Sequence, residues 1–564
     1  MQSLWREKLK IGSSVGSVLC GLVILGTSQW DVFAQTPCGR FPAGSTVSEP
    51  ENLYSKNGVL EVEFTYQTRV LSGKAYYCFL NSDGAQSPTL HVNPGDVLKL
   101  KLTNEVPPFP GKMAGMPEME MSKAGAGGCG ALNMTSTSVN LHYHGTNTPP
   151  VCHQDEVIRT IINFGETFQY EVHFPKDEPP GLYWYHPHIH GLANNTVQGG
   201  ASGALIVEGI ENVNHKVAGL PQRVLILREE PQPVRLEGGG KGQTELSMNY
   251  VVMPGPDFVP AKIDMKPGKK QFWRFLNAAA HTIADLQLLY DGVVQPLELI
   301  SLDSVPLGSQ SASGEGKSQV LKHLFIPPAG RAEFIVKGPS TDVADARLIT
   351  QAVNTGPIGD VDPERSLLSI HTSADGAPSS DVTTVPAVSA PPPKERFAGL
   401  AQATPDRTRK LFFSEDDTNF FITVDGEIPR PYSMDDPPAI TTSQGSVEDW
   451  MIENRSPEVH EFHMHQIHFL TLAQNGKPLR PEQQQFLDTV NVPHWDGIGP
   501  YPSVTVRMDF RGPDVGDFVY HCHILDHEDA GMMAIIRVVT KTIAPESKAS
   551  KSAVAEKGSL KRRK

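Results

Sequence analysis

The sequence predicts an all-β protein made of three tandem β-sandwich domains of the Greek-key type. A chain of 564 residues is too long for one compact domain. Its 47 prolines and 50 glycines suit many turns between short strands better than long helices. One pattern also occurs three times, a Gly turn followed by a strand-like run and a closing Asn, in residues 94–104, 267–277 and 444–454. Repeats so far apart are typical of tandem domains, and a Greek-key sandwich is the common all-β solution.

The same repeats, with the composition between them, predict where each domain lies. We expect the first domain in residues 50–210, the second in 218–375 and the third in 405–541. A Pro/Ala/Ser-rich run predicts a linker over 376–404. The end of the chain, residues 542–564, is basic and lacks aromatic residues, which predicts a disordered tail.

The first 34 residues have the pattern of an export signal. Basic residues precede an apolar run rich in small side chains, and Val32-Phe33-Ala34 provides a cleavage site. The run is shorter than the roughly 20 residues that a spanning helix needs, so a cleaved signal peptide in residues 1–34 is favoured over a retained membrane anchor. We therefore expect an exported protein, periplasmic or extracellular, without stable membrane insertion after signal removal.

The net charge and the cysteine content indicate which binding partners and which cellular compartment to expect for this protein. The net charge of −14 argues against a nucleic-acid partner, and we expect a monomer. Four cysteines outside the signal and the predicted metal site are an even number in an exported chain, so disulfides are expected. Sequence alone allows three pairings, of which Cys38–Cys78 with Cys129–Cys152 is favoured.

Histidines separated by one residue are the decisive pattern. Twenty histidines placed at random would give fewer than one His-x-His pair, yet five occur. Because residues i and i+2 of a strand face the same side, each pair can present two imidazoles to one site. Imidazole binds Cu, Zn, Fe and Ni alike, so only the recurrence in both terminal domains indicates a metal centre. The pairs are His142/His144, His186/His188, His188/His190, His463/His465 and His521/His523.

The position of one cysteine favours copper among the metals that imidazoles bind. Cys522 stands between the two histidines of the last pair, so its side chain faces the opposite side of the strand. A histidine follows it five residues later and a methionine ten residues later, and another histidine precedes the His463/His465 pair at an odd offset. A thiolate, two imidazoles and a weak axial thioether form a blue-copper site. The predicted ligands are Cys522, His460, His527 and Met532.

Four short segments contain these residues: Leu141-His142-Tyr143-His144-Gly145, Trp184-Tyr185-His186-Pro187-His188-Ile189-His190-Gly191, His460-Glu461-Phe462-His463-Met464-His465, and the run from His521-Cys522-His523 to Met532-Met533. They resemble the copper motifs of the multicopper oxidase family, particularly bacterial laccases and copper-efflux oxidases. The resemblance covers about residues 50–540 and implies that the three sandwiches are cupredoxin-like.

The resemblance also implies how the ligands are divided among four copper ions. The type 1 copper would take the four ligands deduced above, and the type 2 copper His142 and His463. The type 3 pair would take His144, His186, His188, His465, His521 and His523. Such an enzyme, laccase-like in activity, would take electrons singly from a phenolic, aromatic or metal-ion reductant and reduce O₂ to water.

Two acids would serve proton transfer by the same resemblance. Asp155 matches an acid beside the trinuclear cluster, and Glu528 matches a proton-relay acid of the bacterial branch. A surface salt bridge is the plain alternative for each. The chain departs from the family pattern at Tyr143, Glu461 and Gln466, which removes no ligand and leaves Glu461 as a candidate for altered substrate contact.

Several other interpretations remain open. An oxidase specialised for Cu(I) is favoured by the thioethers of the Met113–Met121 segment, although these side chains could simply pack locally. A copper-binding protein without turnover would not consume O₂, a scaffold should lack ligands that this chain keeps, and a copper nitrite reductase needs no His on both sides of the Cys. The second domain has no His-x-His pair, which predicts a copper-free spacer, and the remaining histidines, among them His153, His190 and His468, are expected to be structural or exposed.

Overall fold

The computed structural model of the protein describes residues 36–108, 129, 133–231, 244–311, 314–372 and 382–540. The predicted signal peptide, the Met113–Met121 segment and the basic tail lie outside the described residues. Within the described ranges, strands form six sheets that pack in three pairs, and no helix is long and apolar enough to cross a membrane. The predicted all-β fold of three tandem Greek-key sandwiches is confirmed, whereas the exact domain boundaries stay a prediction.

The first sandwich holds the strands that carry the first two histidine segments. Its core takes apolar side chains from both of its sheets, and β7 alternates exposed and buried residues as expected for a strand with one solvent face. The sheets have the orders β1-β4-β9-β8-β6 and β3-β2-β5-β7. The elements are β1 (Asn52–Tyr54), β2 (Val59–Leu71), β3 (Lys74–Asn81), β4 (Thr89–Val92), β5 (Val97–Asn104), β6 (His142–His144), β7 (Thr167–His173), β8 (Gly181–His186), helix α1 (Ala193–Gln198) and β9 (Gly203–Val207).

The second sandwich follows the short helix α2 (Ile210–Val213). Its larger sheet has the order β12-β11-β10-β14-β21-β17-β18, with β19 beside β17 and β24 beside β10. Its smaller sheet has the order β13-β23-β22-β15-β16, with β20 beside β15. Strand β24 falls within the predicted linker, where two β-branched threonines pair with the edge of this sheet. The strands are β10 (Pro221–Glu229), β11 (Leu246–Met248), β12 (Val251–Met253), β13 (Ala261–Met265), β14 (Lys270–Asn277), β15 (Ala284–Tyr290), β16 (Val293–Gln295), β17 (Leu297–Leu302), β18 (Val305–Pro306), β19 (Gln319–Leu321), β20 (Leu324–Ile326), β21 (Arg331–Lys337), β22 (Ala346–Thr350), β23 (Arg365–Thr372) and β24 (Thr383–Thr384).

The third sandwich carries the last two histidine segments. Its sheets have the orders β26-β25-β28-β34-β30-β31, with β32 beside β30, and β27-β36-β35-β29-β33. Short 3₁₀ helices occur at Leu400–Gln402 and Pro481–Gln483. The other elements are β25 (Arg407–Glu415), β26 (Phe420–Val424), β27 (Ile440–Ser443), β28 (Val447–Asn454), β29 (His460–Met464), β30 (Phe469–Gln474), β31 (Lys477–Pro478), β32 (Phe486–Leu487), β33 (Thr489–Val492), β34 (Ser503–Asp509), β35 (Gly516–Cys522), helix α3 (Leu525–Asp529) and β36 (Met533–Val539).

The three sequence repeats form equivalent strands, β5, β14 and β28. Each follows a glycine in the left-handed region, where a residue with a Cβ is disfavoured. Each ends in a fully buried Asn whose amide donates to two backbone carbonyls and whose oxygen accepts from the amide two residues later. The closing Asn therefore ties the end of its strand to two neighbouring segments of the same sandwich. The pairs of carbonyls are Thr137 and Ile162 for Asn104, Thr282 and Ile326 for Asn277, and Glu458 and Val492 for Asn454.

The four cysteines outside the signal and the predicted metal site form two disulfides, as their even number predicts. Cys38 is bonded to Cys78 and Cys129 to Cys152, so the favoured pairing is confirmed. Cys522 is the free cysteine of the described residues and is buried. It is therefore available for the role that the sequence predicts for it.

Apolar contacts between sandwiches set how the histidine segments face each other. Strands β8 and β9 of the first sandwich pack against β10 and β14 of the second. Residues 157 and 158 of the first sandwich pack against β35 and β36 of the third. Val305 of the second sandwich packs against Phe397, Leu400 and Leu470. Each sandwich thus contacts the other two, which positions the edge of the first sandwich over the third.

The closing Asn can be tested in the second sandwich, away from the histidines. Asn277→Ala removes the two donors to the carbonyls of Thr282 and Ile326 and leaves both without this partner in a buried site. We expect the free energy of unfolding to fall by about 2 kcal/mol or more, seen as a lower calorimetric transition temperature. Asn195→Ala, at an exposed position in α1, is the matched control and should leave the transition unchanged. Equal transitions in the two variants would contradict this role.

Candidate metal centre

The first sandwich contributes four imidazoles from neighbouring strands. Strands β6 and β8 pair antiparallel, with His142 opposite His186 and His144 opposite Trp184. His188 follows β8, and its backbone amide donates to the side chain of Asn140 at 2.8 Å. Because directly opposite residues of an antiparallel pair face the same side, the His142 and His186 rings project together from the edge of this sheet.

The third sandwich contributes the other four imidazoles, those of His463, His465, His521 and His523. Strands β29 and β35 pair antiparallel, with His463 opposite His521 and Phe462 opposite Cys522. The register therefore puts His463 and His521 on one face of the sheet and Cys522 on the other, as the alternation of side chains predicts.

The two groups of imidazoles meet across the interface between the first and third sandwiches. The His142 ring stacks on His465 with centroids 3.8 Å apart, and His144 stacks on His463 at 4.0 Å. The Nε2 atoms of His188 and His465 each lie 3.2 Å from His521 Nε2. The structure thus brings together all eight histidines expected at the type 2 and type 3 sites, each at most 2% exposed.

Hydrogen bonds fix the orientation of several of these rings. In four of them Nδ1 is bonded to a neighbouring oxygen, so that Nε2 is the nitrogen turned toward the cluster. In the described part of the chain, the Nε2 atoms of His142, His186 and His463 have no hydrogen-bond partner. The Nδ1 partners are Asp155 for His142 at 3.0 Å, the Pro187 carbonyl for His186 at 2.9 Å, the Asp488 carbonyl for His463 at 2.8 Å and the Cys522 carbonyl for His521 at 2.8 Å.

Burial keeps these imidazoles neutral. Loss of solvent lowers the pKa of His521 to about 3, with the backbone carbonyl of Cys522 opposing that shift. The pKa values of the other seven are lowered well below the usual range, first by burial and then by neighbouring imidazoles. Neutral imidazoles with converging, unpartnered nitrogens are costly in a protein interior unless they bind a metal, so this donor set fits copper ions.

A second donor set lies on the opposite face of β35. His460 Nδ1 is 3.1 Å from His527 Nδ1, and the Cys522 sulfur is 3.7 Å and 3.9 Å from these two atoms. The backbone amide of Cys522 donates to the carbonyl of Met532, whose side chain is fully buried. Burial raises the pKa of the Cys522 thiol, whereas a coordinated thiol is deprotonated by its metal. Two imidazoles and a sulfur in this arrangement fit a mononuclear copper site.

Hydrogen bonds and aromatic packing hold this set in place. The Ser456 hydroxyl is 2.7 Å from His460 Nε2, and the backbone amide of Glu461 donates to the Cys522 sulfur at 3.4 Å. The Phe420 ring stacks on His527, with centroids 4.1 Å apart. The sulfur and both rings are therefore constrained by groups outside the donor set.

Asp155 and Glu528 lie beside the imidazole cluster. Both oxygens of Asp155 are 3.0 Å from His142 Nδ1, and burial raises its pKa well above the usual range. Glu528 is fully buried, with one oxygen 3.3 Å from His521 Nδ1 and the other 3.7 Å from His188 Nε2. Burial, followed by the charge of Asp529, raises the pKa of Glu528. A surface salt bridge is therefore wrong for both, because neither side chain is at the surface.

The departures from the family pattern have structural counterparts. Gln466, in the left-handed region, donates from Nε2 to Asp155 at 2.5 Å and so adds a hydrogen bond next to the cluster. Tyr143 is fully buried and donates its backbone amide to Asp155. Glu461 is also fully buried and accepts from Asn491, which places it away from the surface where substrate contact would occur.

Histidines outside the two donor sets have other partners. His468 is buried with Nε2 2.8 Å from the carbonyl of Asp303, and His153 Nδ1 is 2.7 Å from the carbonyl of Gln169. His190 lines a small cavity with Tyr432, Met434 and the cluster residue His188, and its own ring belongs to neither donor set.

Two residues near the cluster were missed by sequence reasoning. Asp488 accepts from Arg331 of the second sandwich and contacts His144 at 3.2 Å. Neither residue belongs to a periodic pattern or lies near a histidine pair in the chain. A contact across 157 residues between two sandwiches leaves no local signal.

Comparison with known proteins points to the same family that the copper motifs resemble. The family described as multicopper oxidase matches residues 116–212 and 403–542. A multicopper oxidase of Staphylococcus aureus is 24% identical over 505 residues, which is 86% of this chain and 94% of that protein. A laccase of Bacillus subtilis is 24% identical over 437 residues, covering 70% of this chain and 78% of that protein.

Solved structures share the fold. McoA multicopper oxidase of Aquifex aeolicus has a TM-score of 0.63 at 19% identity, covering 88% of this chain and all of that one. A multicopper oxidase of Campylobacter jejuni, described as a metallo-oxidase, has a TM-score of 0.62 at 20% identity and covers 89% of this chain and 96% of that one. Both terminal sandwiches thus match multicopper oxidase domains, and the relatives that span most of the sequence are multicopper oxidases and laccases, which indicates a copper-dependent oxidoreductase that uses O₂.

Proposed function

We propose that this enzyme couples the one-electron oxidation of a small reductant at a type 1 copper to the four-electron reduction of O₂ to water at a trinuclear copper cluster. The observation that carries the proposal is the position of Cys522. Its sulfur faces one donor set, while the histidines on either side of it in the chain face the other. The two sets are thereby joined by a few covalent bonds of one strand.

The proposed ligands follow the two donor sets and give four copper ions per chain. The type 1 ligands are Cys522, His460 and His527, with Met532 as the axial ligand. The type 2 ligands are His142 and His463. The type 3 ligands are His144, His186, His188, His465, His521 and His523. The bare, buried nitrogens among these imidazoles support the assignment.

Protein groups would control proton supply at the cluster. We assign this role to Asp155 and Glu528, which lie within 3.0 Å and 3.3 Å of ligand imidazoles and are buried. A carboxyl group in contact with a ligand imidazole is placed to pass a proton to the cluster.

The surroundings of His527 favour a metal ion as one class of reductant. Its Nε2 lies 3.4 Å from a Glu458 oxygen and 3.8 Å from an Asp526 oxygen, and the Asp526 side chain is 42% exposed. Asp526, the exposed one of these two carboxylates, can attract a cation and bind it through oxygen. Phenolic and aromatic reductants remain the other class that we propose, since they need only contact with this edge.

We also propose that the enzyme is exported and acts in the periplasm or outside the cell. The pattern of residues 1–34 supports this, and so do the two disulfides, because disulfides persist in oxidising compartments.

Substitution of the cysteine tests the proposed function directly. Copper-loaded wild-type protein should bind four copper ions per chain and consume O₂ with a phenolic donor. Cys522→Ser should lose one copper ion, the intense blue absorption and O₂ consumption, because the thiolate that receives the electron is gone, while the type 2 signal persists in EPR spectra. His190→Gln, in the same motif but outside both donor sets, should keep all four ions. A wild-type protein that binds far fewer ions or leaves O₂ untouched would refute the proposal.

Glu528 can be tested by separating electron entry from O₂ reduction. Glu528→Gln keeps the size of the side chain but cannot donate a proton, so we expect kcat to fall about 100-fold. Anaerobic bleaching of the blue absorption by the reductant should keep its wild-type rate, because that step precedes proton transfer. Glu178→Gln, an equally buried acid that bonds to Asn147 instead, is the control. If anaerobic bleaching and turnover with O₂ slow equally in Glu528→Gln, the proposed role of Glu528 in proton supply is wrong.

The acidic edge of the type 1 site predicts a difference between substrates. Asp526→Asn removes one charge, so KM for Fe(II) should rise roughly fivefold while KM for a neutral phenol stays unchanged. The ratio of the two KM values in one preparation cancels differences in copper loading. Asp417→Asn, at an exposed position in the same sandwich, should leave the ratio unchanged. An unaltered ratio in Asp526→Asn would argue against metal-ion recognition there.

A further inference from the structure

A buried arginine of the second sandwich reaches the imidazole cluster. Arg331 begins β21 and is at most 1% exposed. Its Nη1 and Nη2 donate to the two carboxylate oxygens of Asp488 at 2.7 Å and 2.5 Å. Asp488 lies in the third sandwich, between β32 and β33, and is fully buried. Such a paired contact fixes both the position and the plane of the carboxylate.

Asp488 in turn contacts imidazoles from two sandwiches. Its Oδ1 is 3.2 Å from His144 Nε2, and its backbone carbonyl accepts from His463 Nδ1 at 2.8 Å. The Thr489 hydroxyl donates to the same Oδ1 at 3.0 Å. One aspartate therefore sets the orientation of a proposed type 3 ligand and of a proposed type 2 ligand.

His144 differs from the other oriented imidazoles, because a different ring nitrogen contacts a protein oxygen. In His142, His186, His463 and His521, Nδ1 has an oxygen partner within the protein. In His144, Nε2 contacts Asp488 and Nδ1 has no hydrogen-bond partner among the described residues. The carboxylate of Asp488 accepts from Arg331 through both oxygens, so its contact with His144 assigns the imidazole proton to Nε2 and leaves the lone pair of Nδ1 facing the cluster.

The surroundings of Arg331 are built closely around this contact. Arg331 Nε donates to the Leu182 carbonyl of β8 at 3.2 Å, and Nη2 donates to the Ser304 hydroxyl at 3.1 Å. Gly145, directly after His144, has a left-handed backbone, and a Cβ at this position would collide with Arg331 Nη2 and lie 2.7 Å from an Asp488 oxygen. The backbone beside His144 can therefore approach the ion pair because residue 145 is a glycine.

We propose that Arg331 is a positioning residue of the copper site, holding Asp488 so that His144 presents Nδ1, and not Nε2, to the type 3 position. The second sandwich then takes part in assembling the cluster although it supplies no ligand. This inference rests on the proposed copper chemistry of the site.

A purely structural role is the competing explanation, and the chain contains a matched buried pair for which no contact with the eight imidazoles is seen. Arg274 and Glu333 face each other across β14 and β21, are equally buried, and form an ion pair within the second sandwich. Arg274 also donates to Gln222 and contacts none of the eight imidazoles. Damage to this pair should reduce stability without altering the cluster.

Arginine-to-lysine variants separate the two explanations. Lysine keeps the charge but cannot bond both carboxylate oxygens in one plane. Arg331→Lys should weaken copper binding at the cluster at least tenfold, within the 10–100-fold range typical of groups that orient ligands, and uncouple the type 3 pair so that it becomes visible by EPR. The blue absorption of the type 1 site should be unchanged. Arg274→Lys should keep wild-type affinity and an EPR-silent type 3 pair. If Arg331→Lys also keeps wild-type copper affinity and an EPR-silent type 3 pair, the inference is wrong.

A measurement on the wild-type protein needs no copper, and a variant serves only to identify the His144 signals. In metal-free protein with ¹⁵N-labelled histidine, nitrogen chemical shifts should place the proton of His144 on Nε2 and those of His142, His186 and His463 on Nδ1, with the His144 signals identified from His144→Gln. A proton on Nδ1 of His144 would overturn the inference. Because this result is independent of turnover, it remains decisive even if wild-type protein fails to reduce O₂, which would count against the proposed function alone.

Discussion

The alternation of side chains along β35 is the constraint on which the rest of the site depends. Cys522 is directed to one face and His521 to the other, and pairing with β29 places Phe462 and His463 opposite them. A slip of one residue would exchange the two faces, put the sulfur among the imidazoles and separate it from His460 and His527, the proposed type 1 ligands. Buried Phe518 and Tyr520 on the cysteine-bearing face belong to the core of this sandwich, and their burial holds the register.

Because this constraint is local, much of the site could be predicted from the sequence. Histidines at i and i+2 define a shared face in any strand, and an odd offset between His460 and His463 separates the two donor sets. The repeats that end in Asn104, Asn277 and Asn454 likewise predict three similar sandwiches, since each closing Asn acts within its own sandwich.

Contacts between sandwiches could not be predicted in the same way. Arg331 and Asp488 meet only after the second and third sandwiches have packed, and nothing in their sequence neighbourhoods marks them. Glu461 illustrates the same limit: its place beside a type 1 ligand in the chain suggests substrate contact, but the side chain turns to Asn491 and is buried. Local spacing determines which face a side chain occupies, whereas the packing of other elements determines what lies against that face.

Burial makes copper binding and assembly of the three sandwiches parts of one process. The eight imidazoles are divided between the first and third sandwiches, and without metal their bare nitrogens oppose closure of the interface, since each is removed from water without a partner. Apolar contacts such as Ile158 against Val519 favour closure, and the ion pair between Arg331 and Asp488 joins the second sandwich to the third. The charged groups of that pair have each other as partners, whereas several neutral imidazoles have nitrogens without one, so a fixed frame surrounds a cluster that metal would complete. The second sandwich contributes to that frame, and its lack of ligands is therefore no measure of its part in the site.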